Sequence, residues 1–108
     1  MSANSKFYQS KHWKRKREYI LRRDQYLCQE CKRTGRSTPA NVVHHIVPLD
    51  EDMSLKYTNA NLISVCNVCH NGFHDRFNNA ELTVKGEQLK RRKLPEIKRH
   101  EKPYVSRD

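Results

Sequence analysis

Two residue types carry most of the chemistry open to this 108-residue chain, and both are clustered. The four cysteines form two C-x-x-C pairs, Cys28/Cys31 and Cys66/Cys69, and four of the six histidines are His44, His45, His70 and His74. Each C-x-x-C turn offers two sulfurs to one metal, and two such turns complete a tetrahedral zinc shell. A structural Zn2+ on Cys28, Cys31, Cys66 and Cys69 would clasp residues 32–65 and add folding free energy directly. A thioredoxin-like redox pair would need a βαβ context that the chain lacks. A disulfide reading conflicts with the N-terminus, which is polar and basic with no apolar stretch of a signal peptide, so a reducing cytoplasm is the expected setting. A two-Cys, two-His finger fails on spacing: Cys31 and His44 stand at a fitting interval, but Pro48, Leu49, Asp50 and Glu51 occupy the positions a second histidine would need.

His70 and His74 stand at i, i+4 on an expected helix, one face of which could offer two imidazoles to one metal. Cys69 lies about 100° round that helix from His70 and can face the zinc instead. His44 and His45 are adjacent in the apolar run VVHHIVPL. Strand alternation sends them to opposite faces, so they are not ordinary ligands of one ion. One is then a ligand and the other free for a different task, and a neutral imidazole is the natural base for activating water. Any one of these histidines could be a satisfied polar residue; it is the joint arrangement that points to a site.

The elements that would position these groups can be read in outline. Residues 6–24 lack Gly and Pro and are rich in Lys and Arg, which predicts one helix docked through Trp13, Ile20 and Leu21. CQECKRTGR reads as a knuckle with Gly35 in a left-handed turn. Residues 42–47 are the clearest strand, ended by Pro48. A polar loop over 50–61, a second strand at Leu62–Val65 and a helix from Cys69 to about residue 79 follow. The tail reads as a short helix near 87–93 and then a basic arm. The expected division is 1–26 as a basic N-terminal helix, 27–80 as a zinc-clasped core and 81–108 as a basic C-terminal helix or arm.

Apolar residues make up 35% of the chain and charged residues 31%, so the core is thin and a metal staple is in keeping. The formal charge of +10 and pI near 9.7 point to a polyanionic partner, most simply nucleic acid. No apolar run is long enough to span a membrane.

The string Cys28-x2-Cys31, His44-His45-Ile46-Val47-Pro48, Asn61-Leu62, Cys66-x2-Cys69-His70 resembles the HNH endonuclease family. LRRDQYLCQECKRTG is similar to the lead-in of cysteine-bearing HNH nucleases, many of them phage-encoded. The resemblance implies an α+β fold, a small ββα-metal (His-Me finger) unit, here with a four-cysteine zinc clasp and flanking helices. It implies His45 as general base and Asn61 as the residue that braces the loop between the strands. His44 and His70 would ligate one catalytic divalent cation, with His74 as a further ligand as in the bacterial nuclease colicins. Three imidazoles in place of the family's more usual Asp-bearing set leave Mg2+, Mn2+, Ni2+, Co2+ and Zn2+ all open. The implied reaction is hydrolysis of double-stranded DNA, one strand nicked per site. Arg76, Arg22, Arg23 and Lys14 are candidate phosphate contacts. Phage genome packaging beside a terminase, in the host cytoplasm, is one setting compatible with the resemblance; homing and restriction are others. The competing class is a non-catalytic zinc module that only binds nucleic acid. A third idea, a zinc nucleobase deaminase, is weak, since its H-x-E signature is absent: Ile46 and Val47 follow the paired histidines.

Overall fold

The computed structural model describes residues 5–74 and 81–101. The chain begins with two helices, α1 (Ser5–Gln9) and α2 (Lys11–Arg23), where the sequence predicted one. Ser10 parts them. Its backbone is extended (φ −71°, ψ 150°) and its hydroxyl accepts from the Trp13 N–H, an N-cap that starts α2 afresh. At the far end of α2, Gln25 and Tyr26 both take left-handed conformations (φ 59° each), and the Tyr26 N–H returns to the Leu21 carbonyl. This tight reversal delivers the chain into the first cysteine knuckle, which contains α3 (Gln29–Arg33). Gly35 has φ 86° and closes that helix as the sequence predicts, with Arg36 N–H bonded to the Cys31 carbonyl.

Strands β1 (Val42–His45) and β2 (Leu62–Val65) form an antiparallel pair in which His44 faces Ile63 and His45 faces Leu62. The first strand is two residues shorter than predicted. Asn61 takes over the next backbone groups: its carbonyl accepts from Ile46 N–H (2.8 Å) and its Oδ1 from Val47 N–H (2.7 Å). Between the strands lie two 3-10 turns, Met53–Leu55 and Asn59–Asn61.

Helix α4 (Asn67–Phe73) begins earlier and ends sooner than predicted. His74 is therefore not on it. It is the extended residue just beyond (φ −114°, ψ 144°), bridged to Leu82. Helix α5 (Val84–Glu101) is much longer than the short helix expected at 87–93. It runs through Pro95, which removes one backbone hydrogen bond, because Leu89 and Ile97 are fully buried on one side of it. Gly86 lets α5 approach the end of α4: a Cβ there would stand 2.4 Å from the Phe73 carbonyl.

The sheet separates two apolar clusters. Val43 and Leu62 pack with Trp13, Ile20 and Leu21 of α2 on one face. On the other, Ile63 and Val65 join Cys28, Cys31, Cys66, Phe73, Leu89 and Ile97. Among the described residues, no helix is long and apolar enough to cross a membrane.

Asn61 is fully buried and spends its side chain on the bend between the strands, its amide donating to the Val47 carbonyl (3.2 Å) and the Leu55 carbonyl (3.3 Å). Truncation would strand the buried Val47 N–H. Asn61→Ala is expected to cost about 2–4 kcal/mol, read as a lower urea midpoint at fixed free zinc. A loss under about 0.5 kcal/mol, the level of an ordinary surface change, would contradict this role.

Candidate active site

The two cysteine knuckles meet face to face. Cys28 caps α3 and Cys31 lies within it; Cys66 caps α4 and Cys69 lies within it. The Cys31 sulfur is 3.8 Å from that of Cys69 and 4.0 Å from that of Cys66, and all four sulfurs lie within 4.8 Å of one another. A disulfide would need about 2.05 Å, and all four cysteines are free. Four thiolates about 2.3 Å from one tetrahedral ion stand about 3.8 Å apart, so the arrangement fits a four-sulfur metal site. Burial pushes the Cys28 and Cys69 thiols up, while a side-chain hydrogen bond with Thr38 helps bring Cys31 down to about 7. A cation among the sulfurs would supply the charge that allows all four to ionise.

A second cluster lies on the same side of the sheet. His44 of β1, His70 of α4 and His74 just past α4 bring one ring nitrogen each within 4.8 Å of the others, with ring centroids 4.8–5.3 Å apart. Phe73 packs on His44 at 4.8 Å. His44 is 1% exposed, and among the described residues its Nε2 has no hydrogen-bond partner. A buried nitrogen left without a partner is costly, and a ligated cation would satisfy it. Burial, then the neighbouring His70, His74 and His45, hold His44 well below the usual imidazole range. His70 is brought to about 4 by burial and then by His74. Neutral imidazoles present the lone pairs that ligation requires.

His45 leaves the opposite face of β1. Its ring stacks on Trp13 (4.9 Å, 26°) and is edged by Phe7 and Tyr8. The Lys56 carbonyl lies 3.1 Å from Nε2 and can only accept, so Nε2 carries the proton. Nδ1 is then the nitrogen with the lone pair, and it faces the Tyr8 hydroxyl at 3.5 Å. Burial lowers His45 to about 4, against the opposing pull of the Lys56 carbonyl.

The candidate phosphate contacts are placed less uniformly. Lys14 is exposed on α2, and Arg22 is exposed and paired with Glu18 (3.3 Å). The Arg23 guanidinium is committed to structure, bonding Asp24, the Asn59 carbonyl and the Leu62 carbonyl. Arg76 lies outside the described residues. The sequence reading missed three contributors around His45: Phe7, Tyr8 and the Lys56 carbonyl. A backbone carbonyl has no residue signature, and the two rings reach His45 only because Ser10 breaks the helix.

The unfolded chain takes up protons on these rings near 6.5, the folded chain only near 4 at His45 and His70. Across that interval the unfolded state binds more protons, so stability falls with falling pH. The urea midpoint should decline from about pH 6.5 towards about pH 4. A midpoint unchanged down to about pH 4.5 would contradict the burial of neutral rings.

The comparisons with known proteins bear on this geometry. The family model described as HNH endonuclease matches residues 28–76, which hold both clusters and His45. No curated protein matches the chain. The chain is similar to a solved structure, the HNH endonuclease of the deep-sea thermophilic bacteriophage GVE2 crystallised with manganese ion. The two are 44% identical over 61% of this chain and 72% of that one, with a TM-score of 0.60. The protein is a member of the HNH endonuclease family, and the residues the family model matches include its two-stranded antiparallel sheet.

Proposed function

We propose that the protein hydrolyses phosphodiester bonds of double-stranded DNA, nicking one strand per active site, with His45 as the base. The observation that carries this reading is the division of labour across β1. His44, His70 and His74 converge on one face, while His45 stands alone on the other with Nε2 occupied and Nδ1 left to accept a proton. A module that only bound nucleic acid would need neither a buried imidazole of fixed tautomer nor a second ligand cluster.

In this mechanism Nδ1 of His45 takes the proton of a water as its oxygen attacks the phosphorus. The imidazolium that forms is held by the Lys56 carbonyl at Nε2–H. The bond from phosphorus to the 3′ oxygen breaks, leaving a 5′ phosphate and, once that oxygen is protonated from solvent, a 3′ hydroxyl. A divalent cation on His44, His70 and His74 would, when bound, stabilise negative charge on the phosphate and the leaving oxygen. Three nitrogen donors suit Mn2+, Co2+, Ni2+ or Zn2+ better than Mg2+, and the similar phage enzyme was crystallised with manganese. Because β1 has β2 on one side only, a phosphate laid across its other edge would reach the histidines of both faces.

Asn61 serves by holding the bend that carries β1 past His45. Lys14 and Arg22 would meet neighbouring phosphates, and Arg76 is assigned the same task. The four cysteines would hold a structural Zn2+. The phage origin of the similar enzyme supports a phage setting in the host cytoplasm, with genome processing or packaging beside a terminase as the role.

In a supercoiled-plasmid assay across Mg2+, Mn2+, Co2+, Ni2+ and Zn2+, His45→Ala is expected to lower nicking by at least about a hundredfold, the scale of general-base catalysis, with metal content unchanged. His44→Ala and His70→Ala should instead weaken binding of the second metal. Full nicking by His45→Ala would reject the base, and unchanged metal affinity in both other variants would reject the ligands. Cleavage by no metal, beside tight salt-dependent binding, would leave the binding module. For the cysteine site, one zinc per chain is expected, its removal lowering Tm by more than about 10 °C. A chelated protein with unchanged Tm would reject a structural role.

A further inference from the structure

A general base must show its lone pair to water, yet the base nitrogen of His45 is covered. His45 is 5% exposed. Trp13 stacks on its ring, Phe7 lies at 5.8 Å, and the Tyr8 hydroxyl stands 3.5 Å from Nδ1. Two hydrogen-bonded oxygens are themselves about 2.8 Å apart, so no water fits between that hydroxyl and the nitrogen. The hydroxyl is a donor here: partial desolvation of the half-covered phenol and then the negative charge of Asp50 hold Tyr8 above the usual phenol range, so it keeps its proton.

The segment that supplies this cover is weakly held. None of the five residues of α1 is buried, whereas α2 buries Trp13, Ile20 and Leu21. Phe7 supplies side-chain contact, against Trp13 (5.2 Å) and Tyr57 (5.4 Å). The joint at Ser10 is a single extended residue between two helices, tied back by two bonds to the Phe7 carbonyl (2.8 and 3.1 Å). Segments with so little buried apolar surface open at low free-energy cost, and element-terminal residues such as Ser10 absorb the backbone rotation.

We propose that α1 is a lid on the base of this nuclease, and that the Tyr8 hydroxyl occupies the place of the attacking water until the lid lifts about Ser10. This rests on the reading of His45 as the base. The geometry makes Tyr8 a gating residue: the hydroxyl that satisfies Nδ1 at rest must leave before a water can be activated. Phe7 is the latch, since its ring ties α1 to Trp13 and Tyr57.

Access to Nδ1 can be read without any cleavage. In the metal-loaded protein, diethyl pyrocarbonate acylates exposed imidazoles, and peptide mass mapping compares His45 with His12, which is exposed and serves as the internal reference. His45 of the natural protein is expected to react at least about ten times more slowly than His12, as its burial implies. Tyr8→Ala should raise the His45 rate several-fold and leave His12 unchanged. Tyr8→Phe keeps the ring and removes only the hydroxyl; it should raise nicking about fivefold, the worth of one neutral hydrogen bond. That gain is expected in kcat rather than KM, with Trp13 fluorescence unaltered. Equal His45 reactivity in Tyr8→Ala and the natural protein would overturn the lid. Faster labelling with unchanged or slower nicking in both Tyr8 variants would overturn the gating role. Neither result touches the assignment of the base, which stands or falls with His45→Ala.

Discussion

The convergence of four sulfurs is the constraint on which the rest of the structure depends. Cys31 and Cys66 are separated by thirty-four residues in sequence, yet their sulfurs lie 4.0 Å apart. That loop contains β1, Asn61 and β2, and Cys69, from the second knuckle, shares α4 with His70. With so little apolar residue to bury, a chain of this size has few ways to close such a loop. Four thiolates on one ion would do it, with a large local free energy and with fixed angles. The cysteines are also part of the core: Cys28, Cys31 and Cys66 pack with Val65, Phe73 and Leu89. The four sulfurs and the apolar contacts thus meet at the same junction.

Strand alternation then sorts the chemistry. Consecutive residues of β1 face two different environments, one built by α4 and its end, the other by α1 and α2. His44 meets other imidazoles and Phe73, a setting that favours the neutral ring. His45 meets three aromatic rings and a carbonyl, a setting that fixes one tautomer. Two identical side chains acquire separate surroundings because the sheet places its two faces in separate clusters. Asn61 makes that separation sharp by ending the regular ladder immediately after His45.

The basic surface has a mixed meaning. Some cations are structural, as Arg23 is where it stitches α2 to the Asn59 and Leu62 carbonyls. Lys90 with Glu51, and Arg92 with Glu30, tie α5 across to the loop and to α3. Such partly exposed pairs add little stability each, so α5 owes its place to Leu89 and Ile97 and to the close approach at Gly86. Net charge therefore fits an anionic partner without saying which residues would touch it.

What the sequence by itself determined follows from short-range rules. The C-x-x-C turns, the left-handed Gly35, the strand at Leu62–Val65 and the opposition of His44 and His45 all follow from local spacing and backbone periodicity. Element ends did not. Ser10 splits the first helix through a single side-chain cap, Asn61 shortens β1 by capturing its next backbone groups, and buried Leu89 and Ile97 carry α5 through Pro95. His74 reaches His44 and His70 from an extended position beyond α4, not from the helix face that its spacing suggested. Only the tertiary structure decided which face of β1 each histidine occupies and that Tyr8 lies over His45. Those outcomes depend on contacts between residues far apart in the chain, such as the thirty-seven positions from Tyr8 to His45, and on backbone carbonyls that no residue type announces.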